Sequence, residues 1–328
     1  MEKVIAVVVT YNRQALLSEC INALRNQTRK PDAILVVNNG STDNTAQWLQ
    51  QQTDVISINQ KNIGGAGGFS TAIQAGYKKG YEWIWCMDDD GAPKEDALEQ
   101  LLAVECNDLK LLNCAVINKD DKKSFVWNTG GHKNLDEVPG NIIEGIGHPF
   151  NGTFINRRIV ERVGVPKAQF FLWGDETEYY YRIVKKNNIP VCTVASSIHY
   201  HPAATFSFKQ DWDYKTAWKM YFYIRNRLHI HKAKFSNKII ASINYGCFLA
   251  ALAGIVMVYQ KTNKLKKLSF IFWPAADAVV NNFSATPALI LDKLKTKAEN
   301  SNSNFMQGVK NIWSLLFTSS LVKKIQTR

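Results

Sequence analysis

Residues 4–10, VIAVVVT, form an unbroken apolar run rich in β-branched side chains. A strand covered on both faces reads this way, because each face must exclude water. Leu16, Leu17, Cys20, Ile21 and Leu24 then recur at helical spacing and predict a helix with one apolar stripe. The cycle repeats along the chain. A strand is expected over Ala33–Val37, a short helix carries Ala46, Trp48 and Leu49, and a third strand covers Asp54–Ile58. A helix follows with Phe69, Ala72, Ile73, Gly76 and Tyr77 on one face, where Gly76 permits close packing on a sheet. Glu82–Met87 reads as a fourth strand, 94–106 as a helix and 110–117 as a strand.

This alternation predicts an α/β fold, with a mostly parallel sheet flanked by helices. Ligands of such sheets bind beyond the carboxyl ends of the strands. The polar turns NNGSTD, NIGGAGG and DDDG all follow strands, so they gather on one edge. Residues 119–149 are rich in turn formers and predict hairpins, and regular structure resumes over 150–205. Beyond residue 205 the pattern changes: Asp213–Lys232 predicts a basic, aromatic amphipathic helix, and 239–260 contains no charged residue.

Composition sharpens that division. The chain has 328 residues, 46% hydrophobic and 21% charged, which excludes a disordered or fibrous chain. Residues 1–205 carry 21 Lys and Arg against 23 Asp and Glu, whereas 206–328 carry 19 against 5. The basic excess therefore belongs to the last third, and implies an anionic partner there or a solvated basic face. Two regions are expected: a catalytic domain over 1–205, and a helical, basic, aromatic-rich region over 206–328 that associates with a membrane or binds acceptor. The uncharged stretch is long enough to span a bilayer, but Ser242, Asn244 and Tyr245 dilute it, so a buried or interfacial helix is expected. Six cysteines lack metal-type spacing and read as buried free thiols of a reducing compartment. The N-terminal apolar run is too short for a secretory signal, so residence in the cytoplasm is expected.

Four clusters carry candidate chemistry. Asp88-Asp89-Asp90 ends a strand, where bare carboxylates are costly; a hard divalent cation, Mg²⁺ or Mn²⁺, relieves that cost. Alternation along extended chain lets Asp88 and Asp90 reach one ion. The alternative is a solvated, helix-capping turn. Asn62-Ile63-Gly64-Gly65-Ala66-Gly67-Gly68 precedes a helix and either cradles phosphate or shapes a tight turn. In Trp173-Gly174-Asp175-Glu176-Thr177-Glu178, Asp175 and Glu176 open a helix and supply a general base or a cap, while Glu178 pairs with Arg182 four residues on. His199 and His201 share one face of an extended segment, and either completes a metal shell or is structural.

Together VVVTYNR (7–13), VVNNGSTDNT (36–45), WCMDDDG (85–91) and FLWGDETEYYYR (171–182) resemble the inverting family-2 glycosyltransferases of GT-A (Rossmann-like) fold. The NIGGAGGF loop combined with DDD and WGDE resembles the galactofuranosyltransferase and rhamnosyltransferase branches. The resemblance implies a nucleotide-sugar donor bound by Thr10, Tyr11, Arg13, Asn38, Asn62, Gly64, Gly65, Gly68, Asp88 and Asp89. It implies Asp88 and Asp90 as the DxD metal pair, with His201, or second His199, as a further ligand. Relatives usually place Asp where Glu176 stands, so the base is Glu176 or Asp175. Gly152, Thr153 and Trp173 fall near the acceptor. The implied reaction moves a sugar, UDP-galactofuranose being the first candidate and dTDP-rhamnose the next, to a glycan or polyprenyl-diphosphate-linked glycan. That would serve O-antigen, capsule or galactan synthesis on the inner face of the cell membrane. The competing readings are a non-catalytic nucleotide-binding scaffold and a nucleic-acid binder; the retained motifs argue against the first, the apolar tail and acidic site against the second.

Overall fold

The computed structural model describes residues 2–105, 108–203, 211–212 and 214–296. The chain divides into two compact units, Met1–Thr205 and Phe206–Arg328.

The first unit opens with β1 (Val4–Thr10), α1 (Gln14–Arg25), β2 (Ala33–Asn38), α2 (Thr45–Gln50), β3 (Val55–Asn59), α3 (Gly64–Lys78) and β4 (Trp83–Asp88). These four strands pair in parallel, in the order β3-β2-β1-β4. Both faces of β1 are dry for the reason its run suggested. Val4, Ala6 and Val8 pack with Leu17, Ile21 and Leu24 of α1, whereas Ile5, Val7 and Val9 pack with Phe69, Ala72 and Ile73 of α3. The close approach expected at Gly76 is present: a Cβ there would lie 3.0 Å from Ile5 Cγ2 and 3.1 Å from Ile84 Cγ1.

The chain continues through β5 (Ala92–Pro93), α4 (Ala97–Leu102), β6 (Leu111–Asn118), β7 (Ser124–Thr129), β8 (His132–Asn134), β9 (Ile142–Glu144), β10 (Thr153–Asn156), α5 (Arg157–Val163), α6 (Asp175–Tyr181) and β11 (Val191–His201). α4 is shorter than the helix expected over 94–106. The sheet is mixed, because β10 runs antiparallel between β4 and β6 while β11 pairs in parallel with β6. Trp83 and Phe154 stack across the β4–β10 step, with ring centroids 4.4 Å apart and planes 3° apart. β7 and β8 form a hairpin in the turn-rich segment.

The second unit contains α7 (Tyr214–Lys234), α8 (Lys238–Tyr259), α9 (Lys264–Val279) and α10 (Pro287–Thr296). Asp213, the expected start of α7, lies outside the described residues, as do Cys106 and everything beyond residue 296. The aromatic side of α7 is interior: Tyr221, Phe222 and Ile224 are fully buried, with the Arg225 guanidinium lying between Tyr221, Phe222 and Phe283. Of the two placements expected for the uncharged helix, buried or interfacial, burial is not observed: only Ala241, Tyr245, Leu252 and Val256 are buried, and the rest of α8 is half-exposed or exposed. Cys247 on it is also exposed, unlike the buried thiols of Cys20, Cys86, Cys114 and Cys192.

Candidate active site

Parallel pairing brings the ends of β1, β2 and β4 together, with Thr10 opposite Asn38 and Val9 opposite Asp88. The Thr10 hydroxyl donates to Asp89 Oδ2 at 2.7 Å. Arg13 Nη1 donates to Asp89 Oδ1 at 3.2 Å and to Asp90 Oδ2 at 2.8 Å. Asp89 is thus committed to the β1 turn. Asp88 and Asp90 instead meet His201 from the end of β11, and ligand atoms of the three lie within 4.8 Å of one another.

The His201 ring has a defined tautomer. Its Nδ1 lies 2.7 Å from the Pro202 carbonyl, which can only accept, so that nitrogen carries a proton. Nε2 faces Asp90 Oδ1 at 3.4 Å. Burial opposes charge on this imidazole, but the hydrogen bond and charge of Asp90 outweigh it and raise the pKa. Burial, then Asp90 and Asp89, pushes the Asp88 carboxyl up to about 7. Two crowded carboxylates and an imidazole of fixed tautomer suit Mn²⁺ or Mg²⁺.

His199 does not join this group. It shares the strand face with His201, but the aspartate turn folds over it: a Cβ on Gly91 would lie 2.1 Å from His199 Nε2. The ring is fully buried, and neither nitrogen has a hydrogen-bond partner. Burial holds its pKa down at about 3, so it is a neutral packing group.

The glycine loop is shaped by its protein neighbours. Gly64 has φ +76°, and a Cβ there would lie 1.9 Å from the Phe171 carbonyl oxygen. A Cβ on Gly68 would lie 2.4 Å from Val9 Cγ1, whereas at Gly65 it meets open space. Two first-turn amides of α3 are already taken, Gly64 N–H by Asn62 Oδ1 at 2.9 Å and Ala66 N–H by Phe171 O at 3.2 Å. Of the three glycines expected to border the donor, Gly64 and Gly68 therefore answer to packing. The Asn38 side chain is 3% exposed, donates to Asn59 Oδ1 at 2.8 Å and accepts from Ser41 N–H at 3.1 Å, so little of it is left for a base edge. Tyr11 stands 45% exposed at the rim.

The acidic helix α6 begins after Gly174, whose φ is +97°. Phe171 and Trp173 also adopt positive φ, 65° and 57°, so this turn is held by its surroundings. Glu178 is buried and paired with Arg182 at 3.0 Å and Lys167 at 2.9 Å, a structural role. Glu176 is half-buried and accepts from the Gly174 amide at 3.0 Å. Asp175 is 5% exposed; burial, then the charge of Glu176, pushes its carboxyl well above the usual range. The Asp88 charge acts on it in the same direction.

Gly152 and Thr153 depart from their expected acceptor role. Thr153 is 1% exposed inside the sheet and donates to Asn113 Oδ1 at 2.7 Å. Gly152, with φ +69°, fits against Cys114, whose Sγ lies 2.7 Å from where a Cβ would stand. Both are enclosed by protein. Trp173 remains half-exposed.

Two residues escaped the sequence reading. Asn39 ties the β2 turn to the glycine loop, donating to Gly64 O at 2.9 Å and accepting from Gln60 Nε2 at 2.8 Å. Its place within NNGS was the available signal. Trp127 of β7 lies 5.1 Å from the His201 ring and 5.5 Å from that of His148; nothing in a turn-rich stretch singles it out.

Residues 5–164 match the family described as Glycosyl transferase family 2. Galactofuranosyltransferase GlfT1 of Mycolicibacterium smegmatis is 32% identical over 223 residues, 63% of this chain and 74% of that protein. The chain belongs to glycosyltransferase family 2. Galactofuranosyltransferase GlfT1 of Mycobacterium tuberculosis H37Rv is 31% identical over 222 residues, 63% of this chain and 73% of its own length. S. aureus TarS residues 1–349, solved in complex with UDP, superposes with a TM-score of 0.54 at 14% identity, over 90% of this chain and 87% of that one. The mannosyltransferase PcManGT of Pyrobaculum calidifontis, in complex with GDP-Man and Mn²⁺, gives 0.50 at 16% identity, over 97% and 88%. These two structures bear on fold alone, which is GT-A.

Proposed function

We propose that this glycosyltransferase moves galactofuranose from UDP-galactofuranose to a hydroxyl of a glycan or lipid-linked glycan, with inversion, in cell-surface polysaccharide synthesis. The observation that carries the reading is the presence of two acidic sites in one unit: Asp88 and Asp90 with His201 at the strand ends, and buried Asp175 beside the more accessible Glu176 at the start of α6. The galactofuranosyltransferases among the relatives support the sugar.

Glu176 is the base. Asp175 is enclosed, and burial pushes its carboxyl well above the usual range; Glu176 is the more accessible member, steadied by the Gly174 amide. Glu176 takes the proton of the acceptor hydroxyl. That oxygen bonds to the anomeric carbon as the bond to the diphosphate oxygen breaks, its electron pair leaving with the diphosphate. Mn²⁺ or Mg²⁺ held by Asp88, Asp90 and His201 would supply Lewis acidity toward the diphosphate charge. Arg13, half-exposed and now bound to Asp89 and Asp90, can turn toward the same charge, and Thr10 fixes Asp89 beneath it. Tyr11 and Gly65 line the donor side, and Trp173 the acceptor side. The cationic 206–328 region supports a peripheral position on the cytoplasmic face of the membrane.

The test is a panel of nucleotide sugars, including UDP-galactofuranose and dTDP-rhamnose, offered with Mn²⁺ and then with EDTA. UDP-galactofuranose should be turned over fastest, and EDTA should abolish turnover. No turnover of any donor in either condition sinks the enzymatic reading; preference for dTDP-rhamnose sinks only the sugar.

A further inference from the structure

We infer that the outward face of α8 docks on an anionic lipid bilayer, with the helix lying flat in the interface. This rests on the peripheral position proposed above and names the element and its orientation.

At 22 residues and about 1.5 Å per residue, α8 is about 33 Å long. It carries no charged side chain from Ile239 to Tyr259. Its inward stripe is Ala241, Tyr245, Leu252 and Val256. Its outward face holds Ile239 at 68% exposed, Ile243 at 60%, Met257 at 53% and Val258 at 72%. A water-facing helix shows the opposite arrangement, polar outside and apolar inside. Apolar surface on both sides of one helix implies two apolar neighbours, and the unit itself provides one.

Length alone would let α8 span a membrane, but its packing opposes that. The Tyr245 hydroxyl donates to the Ile224 carbonyl of α7 at 3.0 Å, and the Arg227 guanidinium lies 5.2 Å over the Phe248 ring. Phe248 is near the middle of α8, so a spanning α8 would carry Arg227 to the hydrocarbon centre, where a charged side chain is costly. Lying flat, α8 buries Ile243 and Val258 while α7 stays on the aqueous side. Lys238 at one end and Lys261 at the other are exposed and placed to reach headgroups. The residues from 206 onward carry 19 basic against 5 acidic groups, which selects an anionic surface and disfavours pairing with a second, equally cationic copy.

The experiment uses the full chain and vesicles of phosphatidylcholine, with and without phosphatidylglycerol. The protein should co-float with the anionic vesicles. Ile243→Glu combined with Val258→Glu should weaken partitioning by at least about tenfold, from the lost burial of two apolar side chains, and leave soluble donor hydrolysis unchanged. A polarity-sensitive fluorophore on Cys247, in a Cys106→Ser background, should shift to the blue and be quenched best by shallow lipid quenchers. Deep quenching would mean a spanning helix and overturn the flat orientation. Full partitioning of the double variant without a fluorophore shift would overturn the role of α8 while leaving the peripheral position standing. No binding to either vesicle would overturn both, whereas a double variant that keeps its partitioning and only lowers the oligomeric state would overturn the role of α8, since a second copy would then cover the face.

Discussion

At the residue scale, burial separates neighbours that share a motif. Asp175 and Glu176 are adjacent carboxylates, yet one is enclosed, with burial raising its pKa, and the other is reachable. Glu176→Gln should lower kcat by about 10² to 10⁴-fold with little change in donor KM, the range of general-base loss, whereas Asp175→Asn should cost less than about tenfold. Steady-state kinetics on both variants decide this, and the reverse ranking would move the base to Asp175. His199 and His201 separate in the same way. His201→Ala should weaken Mn²⁺ binding by about 100-fold or more, while His199→Gln should hold it within a few-fold, read by calorimetric titration. His148 gives the pH signature. Burial lowers its pKa to about 4, while the unfolded chain titrates near 6.5, so the unfolded state binds the extra proton in that window. Its stabilising share is full above pH 6.5 and is lost as pH falls toward 4, by about 1.4 kcal/mol per unit. The stability deficit of His148→Gln, measured by urea unfolding at pH 8, should therefore shrink by about 2 kcal/mol at pH 5. An unchanged deficit would show that His148 is not held neutral.

At the element scale, the glycine loop shows what periodicity conveys and what it hides. The strands and helices around it were legible, because alternating residues of β1 had to be apolar on both faces and α3 had to present Phe69, Ala72 and Ile73 to the sheet. The reversed strand β10 was not, since four buried residues read alike in either direction. Nor was the function of each glycine. Whether a missing Cβ admits phosphate or a neighbouring carbonyl depends on the FLWG turn, more than a hundred residues away. The distinction is measurable. Gly64→Ala must adopt positive φ and displace the Phe171 backbone, so it should destabilise by about 1–3 kcal/mol or more. Gly65→Ala meets nothing and should unfold like the parent, and any rise in its donor KM would mark the position as donor-facing. Equal melting temperatures for the two variants would refute the packing assignment of Gly64.

At the scale of the whole molecule, charge is segregated between the two units, and each concentration of like charge calls for a counter-charge. In the cationic unit part of the need is met internally, as where Lys267 reaches Asp211 at 2.6 Å and Gln260 at 2.9 Å. The nearly neutral unit gathers three aspartates at one strand end, with Arg13 and His201 as partial counter-ions. The sequence pointed to a cation as one way to offset the aspartates; it did not disclose that Arg13 already contacts two of them, because those contacts are set by the β1–α1 turn. A divalent cation at this site would share Asp90 with Arg13, which holds Oδ2 while Oδ1 faces His201, and by binding the folded state it would stabilise the fold. With Mn²⁺ at a hundred times its dissociation constant, stability should rise by about 2.7 kcal/mol. Arg13→Ala frees Asp90, so it should tighten Mn²⁺ binding in the absence of donor while weakening the donor itself. Thermal unfolding across a Mn²⁺ series, with and without UDP, separates the two effects. If Arg13→Ala weakened Mn²⁺ binding without nucleotide, the guanidinium would be a support of the metal site and not its competitor.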